Sequence, residues 1–401
     1  VRIAVYHELP SGGAKRALFE TVRRLAGQHT VDVFSLSAAD HEFCDLRPVV
    51  HGHRVASFEP LRPFRPPFGR LNRWRRWRDL HRLDRLAGEI AAEIDASGYD
   101  VVYVYPSRWT QAPSVLRHLA TPTVYQVLEP LRSVHEPPIS RPYQGWWSPW
   151  VDRVDPVRHV YVRSARAVDA LNTARASKLL ANSRYTASNV CRVYGRSADV
   201  CYPGVDTATF RPLPGGVTHN GVLSVGEVRP GKGFDFVIAA LATLPLRARS
   251  RLRIVANAEH PPERAYLADV ARRLDVELLF EVGLSDERLV ARYNEAAMVV
   301  YAPVREPLGL AALEAMACGV PVVGVAEGGV RETVVDGVTG LLVERDERQF
   351  AEAVATLLAD EALRGRLGEQ GRRHAVQRWS WEAAVEKLEQ QLAAVVGRRA
   401  S

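Results

Sequence analysis

Short runs of β-branched and aliphatic residues recur along the chain and alternate with longer stretches whose apolar residues return every three or four positions. Residues 2–6, 31–36, 54–58, 101–105, 123–128 and 178–183 in the first half have the composition of strands buried in a parallel sheet, as do 221–225, 251–256, 277–282, 298–301 and 320–325 in the second. Residues 14–26, 80–96, 165–176, 234–241 and 383–396 carry the helical spacing. This alternation predicts an α/β chain of parallel sheets wrapped by helices. The 401 residues exceed the ~250–300 at which a single core divides, so two domains are expected. Proline and glycine cluster at 213–218, which sets the boundary between 1–214 and 215–381.

The stretch 299–341, VVYAPVREPLGLAALEAMACGVPVVGVAEGGVRETVVDGVTGL, says most about chemistry. A buried strand ends in the turn 302–307, and a helix can start only past Pro307, to be stopped by Gly319 and Pro321. Such a unit places the N–H groups of Leu308, Gly309 and Leu310 at a helix N-terminus, where aligned peptide dipoles favour an anion. Gly309 lets a ligand approach the backbone. Glu306 precedes the helix and Glu314 lies within it, about 6 Å along the axis from Leu310, roughly the phosphate-to-ribose offset of a nucleotide. Taken singly, each glutamate reads as solvated. Glu314, however, sits in an apolar run from Leu310 to Ala317, where an unpaired charge is costly, and this favours a ligand.

Two glycine turns also precede helices: Pro10-Ser11-Gly12-Gly13, and Gly226-Glu227-Val228-Arg229-Pro230-Gly231-Lys232-Gly233. Such turns deliver backbone donors to a phosphate, with Lys15, Arg16 and Lys232 adding charge. A plain turn is the competing reading of the first, which does not spell G-x-G-x-x-G.

Charge changes the picture in one place. Residues 1–200 hold 29 Lys plus Arg against 19 Asp plus Glu, a balance of +10, while residues 201–401 balance at −3. Nine arginines from Arg62 to Arg85 interleave with Phe64, Phe68, Trp74 and Trp77. A proline-rich loop leading into a basic helix is one reading. Arginines on anionic headgroups with tryptophans at the acyl boundary is another, and a single nucleic-acid strand a third. The second is carried forward as peripheral contact with an anionic membrane, and no nucleic-acid partner is expected. No apolar run approaches a membrane span and VRIAVYHELP reads as a strand, so a cytoplasmic protein, peripheral at the inner face of the membrane, is expected. Cys44, Cys191, Cys201 and Cys318 show no CxxC spacing, which speaks against a zinc site or a disulfide framework.

Glu306-Pro307-Leu308-Gly309-Leu310, Glu314 to Val323 (EAMACGVPVV), Gly328-Gly329 and Glu332 together resemble the donor-site signature of the retaining GT-B glycosyltransferases of family 4, also termed glycosyltransferase group 1. The seven residues between the two glutamates match that family, and LLANSRYTASNVCRVYG with CYPGVDTATFRP resembles it again. The resemblance implies a GT-B fold: two Rossmann-like domains facing a central cleft, with 382–401 crossing back to the N-terminal, acceptor-side domain. It implies that Glu306 contacts the donor sugar, Leu308 to Leu310 the sugar and phosphate, Glu314 the ribose, Gly12, Gly13 and Lys232 the diphosphate, and Val282 with Gly283 the base. Where the family has an arginine this chain has Glu227, and Arg229 is the candidate replacement. Loops at the carboxyl ends of the first-domain strands make Glu129, Arg132 and His135 candidate acceptor contacts, although the histidine common in the family falls at Leu128. Residues 141–150, RPYQGWWSPW, resemble a mobile aromatic loop over an acceptor, with interdomain packing equally open. The expected activity is retaining transfer of a sugar from a nucleotide diphosphate sugar, UDP-linked by default, with Glu306 and Lys232 catalytic and no metal or cofactor. A nucleotide-sugar epimerase or phosphorylase on the same fold, or a degenerate nucleotide-sugar-binding protein, are the alternatives.

Overall fold

The computed structural model describes residues 1–65, 71–144, 155–214, 221–246 and 249–400, with side chains as far as residue 397. The chain folds into two compact units, Val1–Tyr202 with Ala384–Ser401, and Pro203–Ala383. In the first, strands β1 (Arg2–His7), β2 (Thr30–Leu36), β3 (Gly52–Ala56), β4 (Val101–Val104), β5 (Thr123–Val127), β6 (Lys178–Ala181) and β7 (Asp199–Val200) form a parallel sheet in the order β3-β2-β1-β4-β5-β6-β7. In the second, β8 (Val222–Val225), β9 (Leu252–Ala256), β10 (Leu278–Val282), β11 (Met298–Tyr301), β12 (Val322–Val325) and β13 (Gly340–Val343) are parallel in the order β10-β9-β8-β11-β12-β13. Each order runs outward from its middle. The pairs β1/β4 and β8/β11 therefore flank the switch points where a crevice opens at the carboxyl ends of the strands.

The elements follow the residue pattern with instructive differences. β7 and β13 go beyond the strands that the pattern predicts, the one having two residues and the other starting on a glycine. The helix Asn72–Ala96 starts at Asn72 rather than at 80, because the Asn72 amide accepts from Phe64 N at 2.6 Å and donates to Phe64 O at 3.1 Å. From Asn72 on the basic run is thus helical: Leu80, Leu83, Ala87, Ile90 and Ile94 face the core, while Trp74, Arg76, Trp77 and Arg78 are exposed. The helix Pro156–Arg175 likewise begins ahead of 165, capped by Asp155, which accepts from the N–H groups of Val157 and Arg158.

The division between the units falls after Tyr202, not at 214/215. Side-chain anchors of the second unit claim the intervening residues. Phe210 lies edge-on to Tyr293 at 6.0 Å, Leu213 N donates to Asn294 Oδ1 at 2.8 Å, and the Arg372 guanidinium donates to the carbonyls of Thr207 and Phe210. At the other end Ala384–Ser401 joins the first unit, with Glu389 paired to His29 at 3.1 Å and Leu388, Leu392 and Val395 buried. The stretches 66–70, 145–154 and 215–220 lie outside the described residues, and with them parts of the basic segment, the aromatic stretch 141–150 and the proline–glycine cluster.

At the end of β1, His7 is fully buried and Lys15 Nζ stands 3.3 Å from its Nε2. The helix Gly13–Leu25 therefore turns Lys15 inward, and the lysine is not the exposed charge that the glycine turn suggests. Burial, then Lys15, His53 and His41, hold His7 well below the usual histidine range. Burial, His41 and Lys15 push His53 down to about 4, against an opposing pull from Asp45. Both rings are neutral in the fold at pH values where the unfolded chain already binds their protons. Their contribution to stability is complete above the unfolded value of 6.5 and is lost as pH falls toward the folded values, about 4 for His53. The urea midpoint is accordingly expected to drop between pH 6.5 and about 4, and His53→Gln, which removes one titrating ring, to shrink that drop. Identical pH profiles for the two proteins would contradict this account.

Candidate functional site

β8 and β11 are neighbours in the second sheet, and the turns that leave their carboxyl ends are bound to each other. The first turn carries Lys232 on the short 3-10 segment Pro230–Lys232. Gly233 follows with φ +68°, and a Cβ on it would lie 2.0 Å from Ala302 O, so only glycine permits this approach. Val304 N donates to Gly231 O at 2.9 Å. Across the seam Lys232 Nζ donates to Glu306 Oε2 at 3.0 Å, with the two side chains 31% and 15% exposed. The two residues expected at the diphosphate and the sugar thus meet directly.

The backbone of Glu306 is held from a second side. Gly329 N donates to Glu306 O at 2.8 Å, and a Cβ on Gly328 would come within 2.4 Å of that oxygen. Arg345 donates to Ala302 O at 3.1 Å and Pro303 O at 2.9 Å while pairing with Glu327 at 2.7 Å, and this bond holds the Glu327 carboxyl below its usual range. Beyond the turn, Leu308 is buried and Gly309, at φ +103°, caps the helix Leu310–Ala317. The N–H groups of its first turn have no intrahelical carbonyl to meet. Glu314 is half-buried on this helix, and its Oε2 accepts from the Tyr293 hydroxyl at 2.8 Å. It does not stand on a solvated face.

The remaining candidates are placed as follows. Val282 ends β10 and is 40% exposed, followed by Gly283 at φ +71°. Arg229 Nε donates to Glu227 Oε1 at 2.5 Å, so its charge answers the carboxylate two residues earlier. Gly12, at φ +137°, caps the helix that Gly13 begins, in the first unit. The acceptor-side candidates lie in the first unit. Arg132 pairs with Glu129 at 3.1 Å and with Glu136 at 3.4 Å, a local cluster at one-turn spacing. His135 is turned toward the core, its Nε2 3.8 Å from the buried Asp169 and its ring edge-on to Tyr194. Tyr293, Tyr301 and Arg345 are the site residues that the sequence reading passed over. A tyrosine closing the otherwise aliphatic β11 was the one visible signal. Among the described residues no three His, Cys, Asp or Glu side chains come together as a metal-binding group.

Known families resemble this chain across both units. A family model described as Glycosyltransferase Family 4 matches residues 11–209, and one described as Glycosyl transferases group 1 matches residues 208–374. A D-inositol 3-phosphate glycosyltransferase of Kineococcus radiotolerans is 36% identical over 246 residues, covering 53% of this chain and 55% of that protein. A GDP-mannose-dependent alpha-(1-6)-phosphatidylinositol monomannoside mannosyltransferase of Mycolicibacterium smegmatis is 35% identical over 241 residues, 54% of this chain and 61% of the relative. The chain spans about half the length of the curated relatives it matches. Among solved structures, sucrose-phosphate synthase from Thermosynechococcus elongatus shares the fold with a TM-score of 0.73 over 99% of both chains, at 20% identity. With its two family models running end to end from residue 11 to 374 and the switch-point turns assembled in one unit, the chain belongs to the GT-B glycosyltransferases of group 1, family 4.

Proposed function

We propose that the protein is a retaining glycosyltransferase that moves a sugar from a nucleotide diphosphate sugar, UDP-linked, to an acceptor hydroxyl without a bound metal ion. The observation that carries this reading is the Lys232–Glu306 contact at the carboxyl ends of β8 and β11. Departure of the nucleotide leaves negative charge on its diphosphate and oxocarbenium character on the sugar. Lys232 and the N–H groups of Leu308, Gly309 and Leu310 oppose the first, doing the work a divalent cation would otherwise do, and Glu306 opposes the second. Glu314 accepts from the ribose hydroxyls, and Val282 lines the base. Arg229 stays with Glu227 and tempers the carboxylate in the diphosphate turn.

The exposed side of the helix Asn72–Ala96 supports peripheral contact with an anionic membrane. Arg78 lies over Trp74 at 4.9 Å, and Arg76 and Trp77 are exposed beside them, whereas Arg73 is tied to Asp155 and Arg75 covers Phe64. No described helix is long and apolar enough to cross a membrane.

A panel of UDP- and GDP-sugars tests the donor. Both relatives are named for inositol compounds, so inositol phosphates head the acceptor panel. Glu306→Ala is expected to lower kcat by about a hundredfold or more with little change in nucleotide affinity, and Glu314→Ala to weaken nucleotide binding about tenfold. Equal effects of the two would sink the assignment. Turnover should persist in excess EDTA, and the product anomer, read by NMR, should match the donor's; a cation requirement or inversion would remove those two features of the proposal. Arg76→Glu with Arg78→Glu should release the protein from vesicles containing anionic lipid, and unchanged sedimentation would end the membrane proposal.

A further inference from the structure

Each carboxylate of the donor site has a buried phenol beside it. Tyr301 closes β11 at 4% exposure, with the carboxylates of Glu306 and Glu314 as its charged neighbours. Tyr293, fully buried on the helix Asp286–Glu295, donates to Glu314 Oε2 at 2.8 Å and reaches Ala311 O at 3.4 Å. Burial first, and the neighbouring carboxylates after it, raise both phenols well above the usual tyrosine range. Each oxygen therefore keeps its proton, and Tyr293 presents its own to Glu314. The rings are also fixed in place. Tyr293 is edge-on to Phe210, and Tyr301 Cε1 would lie 3.2 Å from a Cβ on residue 309, so the ring packs against the cap of the helix that carries Glu314.

The Lys232–Glu306 contact creates a need that these phenols meet. A diphosphate drawn to Lys232 competes with Glu306 for the ammonium. A half-buried carboxylate that loses its ion partner must either find another donor or take up a proton. Tyr301 is such a donor, its ring buried at the end of β11. We propose that Tyr301 and Tyr293 are positioning residues: Tyr301 donates to Glu306 and keeps it aimed while Lys232 changes partner, and Tyr293 sets the plane of Glu314 toward the ribose. The proposal rests on the donor-site reading above and deepens it by dividing the phenols between chemistry and binding. Tyr→Phe removes only the hydroxyl at either position and leaves the ring packing intact.

The test is steady-state kinetics with the nucleotide sugar that supports turnover, together with nucleotide binding by calorimetry and thermal melting, on wild type, Tyr301→Phe, Tyr293→Phe and Glu314→Ala. Tyr301→Phe is expected to lower kcat about tenfold or more with nucleotide Kd within about threefold of wild type. Tyr293→Phe is expected to weaken nucleotide binding about tenfold with kcat within about threefold. The split between the two parameters separates positioning from general support of the fold, which would lower the melting temperature and move both parameters together in both variants. That parallel fall, or no change in either variant, overturns the inference. A wild type that turns over and loses nucleotide on Glu314→Ala, yet is indifferent to both Tyr→Phe changes, overturns this inference alone. A wild type that binds no nucleotide sugar overturns it together with the donor-site reading.

Discussion

The bond from Lys232 to Glu306 is the interaction on which the rest of the second unit converges. It joins two turns that leave neighbouring parallel strands at a switch point, where the sheet itself supplies no further pairing. Holding both turns there takes three separate devices. A glycine admits the Ala302 carbonyl, Arg345 gathers the carbonyls of Ala302 and Pro303, and Gly328 with Gly329 closes on the Glu306 carbonyl. The ion pair is partly open to solvent and contributes little to stability by itself. Under the proposed function its value is geometric: an ammonium and a carboxylate held at contact distance by rigid backbone are preorganised for charge that separates during a reaction.

The strand pattern was legible wherever burial is two-sided. β11 spans Met298–Tyr301, the run read from sequence, because an aliphatic stretch ended by Ala302-Pro303 has no competing period. The start of the helix at Asn72 was hidden for the opposite reason. Its first two turns are arginines and tryptophans with an exposed face, so no apolar period marks them, and the deciding bond goes to a backbone eight positions earlier. The division after Tyr202 was hidden because the anchors of 203–213 lie at Asn294 and Arg372, far along the chain.

The site divides the same way. Glu306, Lys232 and Glu314 announce themselves by local motif, whereas Tyr293 and Arg345 act across 21 and 18 residues, on Glu314 and Glu327 respectively, and carry no local mark. On the other sheet, the partners of Arg132 and His135 were not visible in the sequence. Arg132 is taken by carboxylates at one-turn spacing and His135 by a packing position. The buried Lys15 teaches the same lesson: a cation next to a glycine turn reads as a phosphate ligand until the helix phase shows which way it points.

The chain passes between its two units twice, after Tyr202 and after Ala383, and near these points it runs alongside itself: Val205 N donates to Trp379 O, and Gly204 has no room for a side chain beside the Trp381 backbone. The unit that holds the first residues is therefore finished by some of the last. During synthesis on the ribosome its seven strands emerge early but must wait, with the places for Leu388, Leu392 and Val395 unfilled, until the whole of the other unit has been made.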